Sequence, residues 1–143
     1  MTHDHHSWAT SLDTLHAQVW ALLVRGVKDR RASSRHLTLA TITPDGLPAA
    51  RTVVLRAANK QTATLDVHTD VHAGKVKDVR ATPYAAIHVW DPSAHLQIRL
   101  GTKVTALTGD DVDSLWARVP EGSRQAYGGT PDTGEPIPES LNY

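Results

Sequence analysis

A change of period constrains this chain more than any other feature. Trp8, Leu12, Leu15, Val19, Leu22 and Leu23 recur at three- and four-residue steps, which predicts an amphipathic helix with Ser7 as its N-cap and Lys28, Arg30 and Arg31 at a basic end. From residue 35 the period drops to two. "RHLTLATI" alternates Leu37, Leu39 and Thr41 against Thr38, Ala40 and Ile42, and "TPDGLP" follows with Asp45-Gly46, a strong hairpin dipeptide. "AARTVVLRA" reads as the partner strand, and "ANKQT" turns the chain into "ATLDVHT", giving a meander of three strands rich in β-branched residues. A short helix, "AGKVKDVRAT", is stopped by Pro83, after which "YAAIHVWD" and "HLQIRLGTKVTAL" resume the alternation across a "PSA" turn. Five strands with short connections and one inserted helix predict a mainly β fold with flanking helices, closed as a small β-barrel. Beyond Leu107, "TGDDVDSLWARV" predicts a helix capped by Thr108 or Asp110, and the tail "YGGTPDTGEPIPESLNY" has no period.

The 143 residues suit a single domain, read as an N-terminal helix over 1–34, a barrel core over 35–107, a helical segment over 108–127 and a Gly/Pro-rich tail over 128–143. Cysteine is absent, which excludes disulfides, thiolate metal sites and a cysteine nucleophile. No apolar run reaches the roughly 18 residues of a membrane helix and no signal peptide is evident, so a soluble cytoplasmic protein that does not bind membranes is expected. Fifteen Lys and Arg balance fifteen Asp and Glu with no basic block, which argues against nucleic acid as a partner.

Asp66, His68, Asp70 and His72 alternate, and a continuous strand would bring them to one face, either as a metal-binding stripe or as a solvated polar one. The expectation is that no metal is bound, and that His3, His5 and His6 form a disordered tail. No G-x-S-x-G elbow supports a serine nucleophile. "RTVVLR" sets Arg51 and Arg56 five steps apart, about 16 Å along an extended strand, a span comparable to an elongated phosphorylated cofactor. Arg51 offers a planar fork for a phosphate, and Lys75 stands at the start of the short helix, where backbone N–H groups and the helix dipole favour an anion. Each of these cations also fits ordinary solvated charge; together they point to a phosphate site as the alternative.

These residues carry a resemblance. "LATITPDGLPAARTVVLR" followed by "HTDVHAGKVKDVRATPYAAIHVWDPSAHLQIRLGTKVTAL" is similar to the FMN-binding split β-barrel of the pyridoxamine 5′-phosphate oxidase family, through the succession R-x-V-x-L-[KR], [YFH]-T-[ND]-x-x-[SA]-x-K and a Gln-containing strand, over residues 36 to 107. The tail "SLWARVPEGSRQAYGGTPDTGEPIP" also resembles a subgroup of flavin-binding relatives with Ser-Arg-x-x-Tyr and Pro-Asp-x-Gly segments. The resemblance implies FMN as cofactor, with Arg51 and Lys75 on its phosphate, Thr52, Val53 and Val54 along the flavin, and Arg56 closing the strand motif. It implies that His68 and Thr69 replace a Tyr-Thr pair that seats the cofactor. Gln97 matches a glutamine that reaches the flavin from the partner subunit, which implies a homodimer with FMN at the subunit interface. Where the family commonly has Ser-Arg-Lys, this chain has Ala73-Gly74-Lys75, so phosphate binding leans on Arg51, Lys75 and backbone donors.

Relatives that oxidise pyridoxamine phosphate carry Lys at the end of the first motif, a Tyr and an Arg in the helix after the barrel, and an Arg-x-His. Here the first is Arg56, Ser114 falls in the Tyr region, Arg118 and Ser123 are the substrate-side counterparts, and no Arg-x-His occurs. The expected function is FMN-dependent oxidoreduction of a small molecule, with poor activity on pyridoxamine 5′-phosphate and no residue marked as the acid or base. The alternative is a non-catalytic flavin or haem carrier or sensor on the same barrel, for which His68 or His88 would serve as haem ligand.

Overall fold

The computed structural model describes residues 6–124 and residue 127. Helix α1 (Leu12–Lys28) is followed by strands β1 (His36–Ile42), β2 (Pro48–Asn59) and β3 (Thr64–Val67), helix α2 (Gly74–Ala81), strands β4 (Tyr84–Asp91) and β5 (Leu96–Lys103), helix α3 (Asp110–Ala117) and a last helical turn, α4 (Glu121–Arg124). The five strands form one sheet in the order β3-β2-β1-β4-β5. The expected meander occupies one side, and the β4–β5 hairpin joins it on the other edge of β1. In the antiparallel β1–β4 ladder Thr38 pairs with His88, Leu39 with Ile87 and Ala40 with Ala86. No helix among the described residues is long and apolar enough to cross a membrane.

By contacts the chain divides into two units, one built from the residues up to Ala40 with Ala50–His68 and Ala86–Thr102, the other from Thr41–Ala49, Thr69–Ala85 and the chain from Lys103 onward. In the first unit the period-two pattern sorts side chains as expected: Leu37, Leu39, Val53, Leu55, Ile87, Val89 and Ile98 are buried, as are Leu22 and Leu23 of α1. Gly26 is required where α1 meets the following turn, because a Cβ there would lie 2.8 Å from the Ser34 carbonyl carbon. Buried Ser34 donates to the Leu22 carbonyl at 2.6 Å, and Arg35 Nη1 donates to the Val27 carbonyl at 2.7 Å, satisfying carbonyls at the end of α1. Between β2 and β3 the register shifts: Leu55 faces Val67 but Ala57 faces Asp66, so Arg56 is the extra residue of a β-bulge. The β4–β5 turn is tied by Asp91, whose Oδ1 accepts from Ser93 Oγ at 2.7 Å and from the Ser93 and Ala94 N–H groups at 3.0 and 3.1 Å. Burial pushes the Asp91 pKa up, but these hydrogen bonds outweigh it and hold the carboxyl below its ordinary value.

In the second unit, the Asp45-Gly46 turn forms as expected, with Gly46 at φ +83° and the Leu47 N–H donating to Thr43 Oγ1 at 3.0 Å. Ala73, Val76, Ala85 and Val119 are buried, together with Thr41 and Asp78. Arg124 donates from Nε to the Val119 carbonyl at 3.1 Å and from Nη2 to the Trp116 carbonyl at 3.2 Å. Its guanidinium lies 5.2 Å from the Trp116 ring centre, and Tyr127 packs edge-on against that ring.

Four boundary expectations are corrected. Residues Ser7–Thr10 form a separate 3-10 turn, and the N-cap of α1 is Ser11, whose Oγ accepts the Thr14 N–H at 3.1 Å. Helix α3 starts from Gly109 at φ +75° with no side-chain cap, in place of Thr108 or Asp110; only glycine adopts that conformation cheaply. Strand β5 stops at Lys103, short of Leu107, and the Val104 N–H bonds to the Pro83 carbonyl at 2.9 Å. His6 is ordered: its Nε2 lies 2.7 Å from the Ala94 carbonyl oxygen and its ring packs edge-on against Trp8. His3, His5 and the tail over 128–143 lie outside the described residues.

Candidate functional site

The second unit contains the start of α2. Strand β3 ends at Val67, so Asp66, His68, Asp70 and His72 do not share one strand face, and the described residues contain no cluster of three or more metal-ligating side chains. The chain bends instead: Asp70 Oδ1 accepts the His72 N–H at 2.9 Å, and the Asp70 carbonyl accepts the Ala73 N–H at 3.0 Å. That turn buries Ala73 in an extended conformation (φ −62°, ψ 146°) as the N-cap of α2, where no side chain caps the helix. Gly74 and Lys75, both half-buried, open the first turn. Just upstream, Thr69 Oγ1 is buried and has no hydrogen-bond partner among the described residues. A buried hydroxyl left without a protein partner is a place where a ligand atom can complete the hydrogen bond. The back of α2 is anchored, since Thr41 Oγ1 of β1 donates to Asp78 Oδ2 at 2.7 Å and both residues are buried. An uncapped helix start, a lysine in its first turn, an unpartnered hydroxyl and a helix tied at its back make this a candidate anion site.

The first unit carries the other candidates. Arg51 is half-buried on the β2 face that includes Val53 and Leu55, and its Nη1 donates to the Leu39 carbonyl of β1 at 3.1 Å, which fixes the guanidinium. Thr52 is exposed and Val54 half-buried on the opposite side, while the Val53 side chain belongs to the core. Arg56 occupies the bulge, half-buried, with its charge felt at His68. Burial, and then the Arg56 charge, lower the His68 pKa below the usual 6.5, with the Asp66 carboxylate opposing, so the neutral imidazole is favoured. On β5 the exposed Gln97 meets His88 of β4, its Oε1 lying 2.9 Å from His88 Nε2.

Arg118 and Ser114 are exposed on and just after α3, and Ser123 is half-buried in α4. Sequence reasoning missed the Thr41–Asp78 and His88–Gln97 pairs. Neither carries a local signal, because each joins residues on different elements and depends on register. Asp91 was legible in principle, since Asp-Pro-Ser at a strand end favours side-chain-to-backbone turns.

Comparison with known proteins agrees with this architecture. Residues 6–108 match the family model "Pyridoxamine 5′-phosphate oxidase, FMN-binding domain". A pyridoxine/pyridoxamine 5′-phosphate oxidase of Mycolicibacterium paratuberculosis is 32% identical over 108 residues, 73% of this chain and 48% of that protein. The chain thus spans about half the length of the curated relatives it matches. Among solved structures, a pyridoxamine 5′-phosphate oxidase-related FMN-binding protein of Nostoc punctiforme superposes with a TM-score of 0.67 at 28% identity, covering 91% of this chain and 70% of that one. PhzG of Burkholderia lata, solved with tetrahydrophenazine-1-carboxylic acid, gives 0.63 at 17% identity, covering 96% and 65%. The fold is the split β-barrel of these proteins.

Proposed function

The chain belongs to the pyridoxamine 5′-phosphate oxidase FMN-binding family, and from that premise we propose that it is a homodimeric FMN-dependent oxidoreductase of the cytoplasm whose substrate is a small molecule other than pyridoxamine 5′-phosphate. The observation that carries the cofactor assignment is the buried, unpartnered Thr69 hydroxyl beside a helix start that no side chain caps. In this reading Lys75, the backbone N–H groups of the first turn of α2 and the Thr69 hydroxyl take the phosphate of FMN, and Arg51 adds a guanidinium held in place by the Leu39 carbonyl. FMN, when bound, supplies the redox chemistry, accepting two electrons from a reduced substrate. Gln97 contributes an amide to the ring system across the subunit interface, a role supported by its exposure on the strand face that also carries the exposed Arg99. His68, kept neutral by burial and Arg56, adds no positive charge where the family's uncharged Tyr would stand.

Arg56 in place of Lys and Ser114 in place of Tyr remove contacts expected for pyridoxamine phosphate, and Arg cannot reproduce the compact ammonium of Lys. Arg118 and Ser123 remain as substrate-side groups. The test is an absorption spectrum of the purified protein with light scattering on the same sample. Flavin bands on a dimer support the proposal. A Soret band overturns the cofactor, flavin on a monomer overturns the shared site, and brisk oxygen uptake with pyridoxamine 5′-phosphate overturns the substrate assignment.

A further inference from the structure

We infer that His88 is a positioning residue for Gln97, setting which end of the Gln97 amide is offered to the flavin ring system. The inference rests on the FMN-binding reading above. In β4, Ala85, Ile87, Val89 and Asp91 are buried, so His88 stands on the other face of the sheet, where register places it opposite Thr38 of β1. In β5, Ile98 is buried and Gln97 and Arg99 are exposed, which turns Gln97 to the same face as His88. There Gln97 Oε1 lies 2.9 Å from His88 Nε2.

An amide oxygen only accepts hydrogen bonds, so this contact requires the proton on Nε2. With Oε1 held, the amide NH2 is turned away from His88 and offers donors only. Arg99, exposed on the same strand face, has no acceptor either. This part of β5 therefore suits a flat ligand rich in acceptors, as the carbonyls and ring nitrogens of an isoalloxazine are. An exposed glutamine with no partner would offer either end, and would lose rotamer freedom when it bound. His88 removes that ambiguity before the ligand arrives, which is preorganisation of one specific donor. The reverse arrangement, with Nε2 accepting from the amide, would offer a carbonyl and suit a donor-rich ligand.

Two measurements test this. Nitrogen-15 NMR of histidine-labelled, cofactor-free protein should show His88 protonated at Nε2; a bare Nε2 with the proton on Nδ1 overturns the inference. Fluorescence titration with FMN and with riboflavin should show His88→Leu weakening both by the same factor, about three- to tenfold, the usual worth of one neutral hydrogen bond. His88→Gln, which keeps an N–H near the Nε2 position, should recover both to within about twofold. Unchanged affinities in His88→Leu overturn the positioning role, as does a loss confined to FMN, which would mark a phosphate effect. Failure of His88→Gln to recover binding in a protein with normal circular dichroism overturns it too. Wild-type protein that binds neither flavin overturns the FMN reading and the flavin part of the inference, while the tautomer still decides which end of the amide is offered.

Discussion

Helices α1 and α2 begin in opposite ways. Helix α1 starts from Ser11 in an extended conformation, its hydroxyl taking the Thr14 N–H, with Asp13 in the first turn. Hydroxyl cap and carboxylate together answer the unpaired N–H groups and the positive end of the dipole. Helix α2 starts from buried Ala73 with no side-chain cap and no acidic residue in its first turn; Lys75 stands there instead. For an isolated helix that is the wrong charge at the wrong end. Absence of a cap is not enough to single α2 out, because α3 also lacks one, but α3 opens on Asp110. Of the starts of α1, α2 and α3, that of α2 alone brings together a missing side-chain cap, a lysine and an unpartnered buried hydroxyl. The start of α1 is complete within the chain, and that of α2 is the one the proposal assigns to an anion.

The contrast can be broken most severely by removing the proposed phosphate cations. Arg51→Ala and Lys75→Ala should each weaken FMN binding by about tenfold to a hundredfold, and the double variant should lose FMN almost entirely while riboflavin binding barely changes, as expected for charge-assisted hydrogen bonds. Equal losses for the two flavins, read by fluorescence titration, would show that these residues shape the pocket without reading phosphate. Next in size is Thr69→Val, which should cost about tenfold in FMN affinity yet leave the cofactor-free protein as stable or up to about 1 kcal/mol more stable, since it removes an unsatisfied buried group. Thermal unfolding with and without FMN separates the two effects; a destabilised cofactor-free protein would mean the hydroxyl already has a partner. The matching change at the other helix, Ser11→Ala, should cost about 1 kcal/mol in denaturant unfolding and leave FMN affinity untouched.

The smallest effect concerns pH. With its pKa lowered on folding, His68 binds fewer protons in the folded than in the unfolded state, so its contribution favours the folded state above the ordinary imidazole value of 6.5 and is lost as pH falls below it. His68→Gln should flatten the fall of melting temperature on acidification through that range. An unchanged slope would mean that the burial and the Arg56 charge do not act on this ring.

Strand order along the chain, the hairpin at Asp45-Gly46 and the inserted helix were legible in the sequence because each depends on local periodicity or a turn dipeptide, while the split-barrel class came with the resemblance carried by the motifs around Arg51 and Lys75. The place of Lys75 at a helix start was legible too, because it follows from Pro83 ending the helix and the strand pattern preceding it. Helix starts were less so: Ser7 and Ser11 are both good caps, and only packing chooses between them, while Gly109 shows its role through a positive φ that the letters do not display. The orphaned state of Thr69 Oγ1, the Thr41–Asp78 bond and the pairing of His88 with Gln97 were illegible because they depend on which residues register brings together across the sheet.

The bulge at Arg56 changes how strand β2 can be counted. Up to Leu55 the odd-numbered residues Val53 and Leu55 are the buried ones; past the bulge Ala57 opposes Asp66, the neighbour of the residue facing Leu55, and the phase is reversed. The strand therefore behaves as two reading frames joined at one residue. Removing Arg56 would take out the extra count and leave Leu55 opposite Val67 and Ala57 opposite Asp66 as consecutive pairs with their faces kept. Removing Val54 would instead force one side of the strand to present its opposite face, so for this strand the position of a deletion decides whether it is mild or severe.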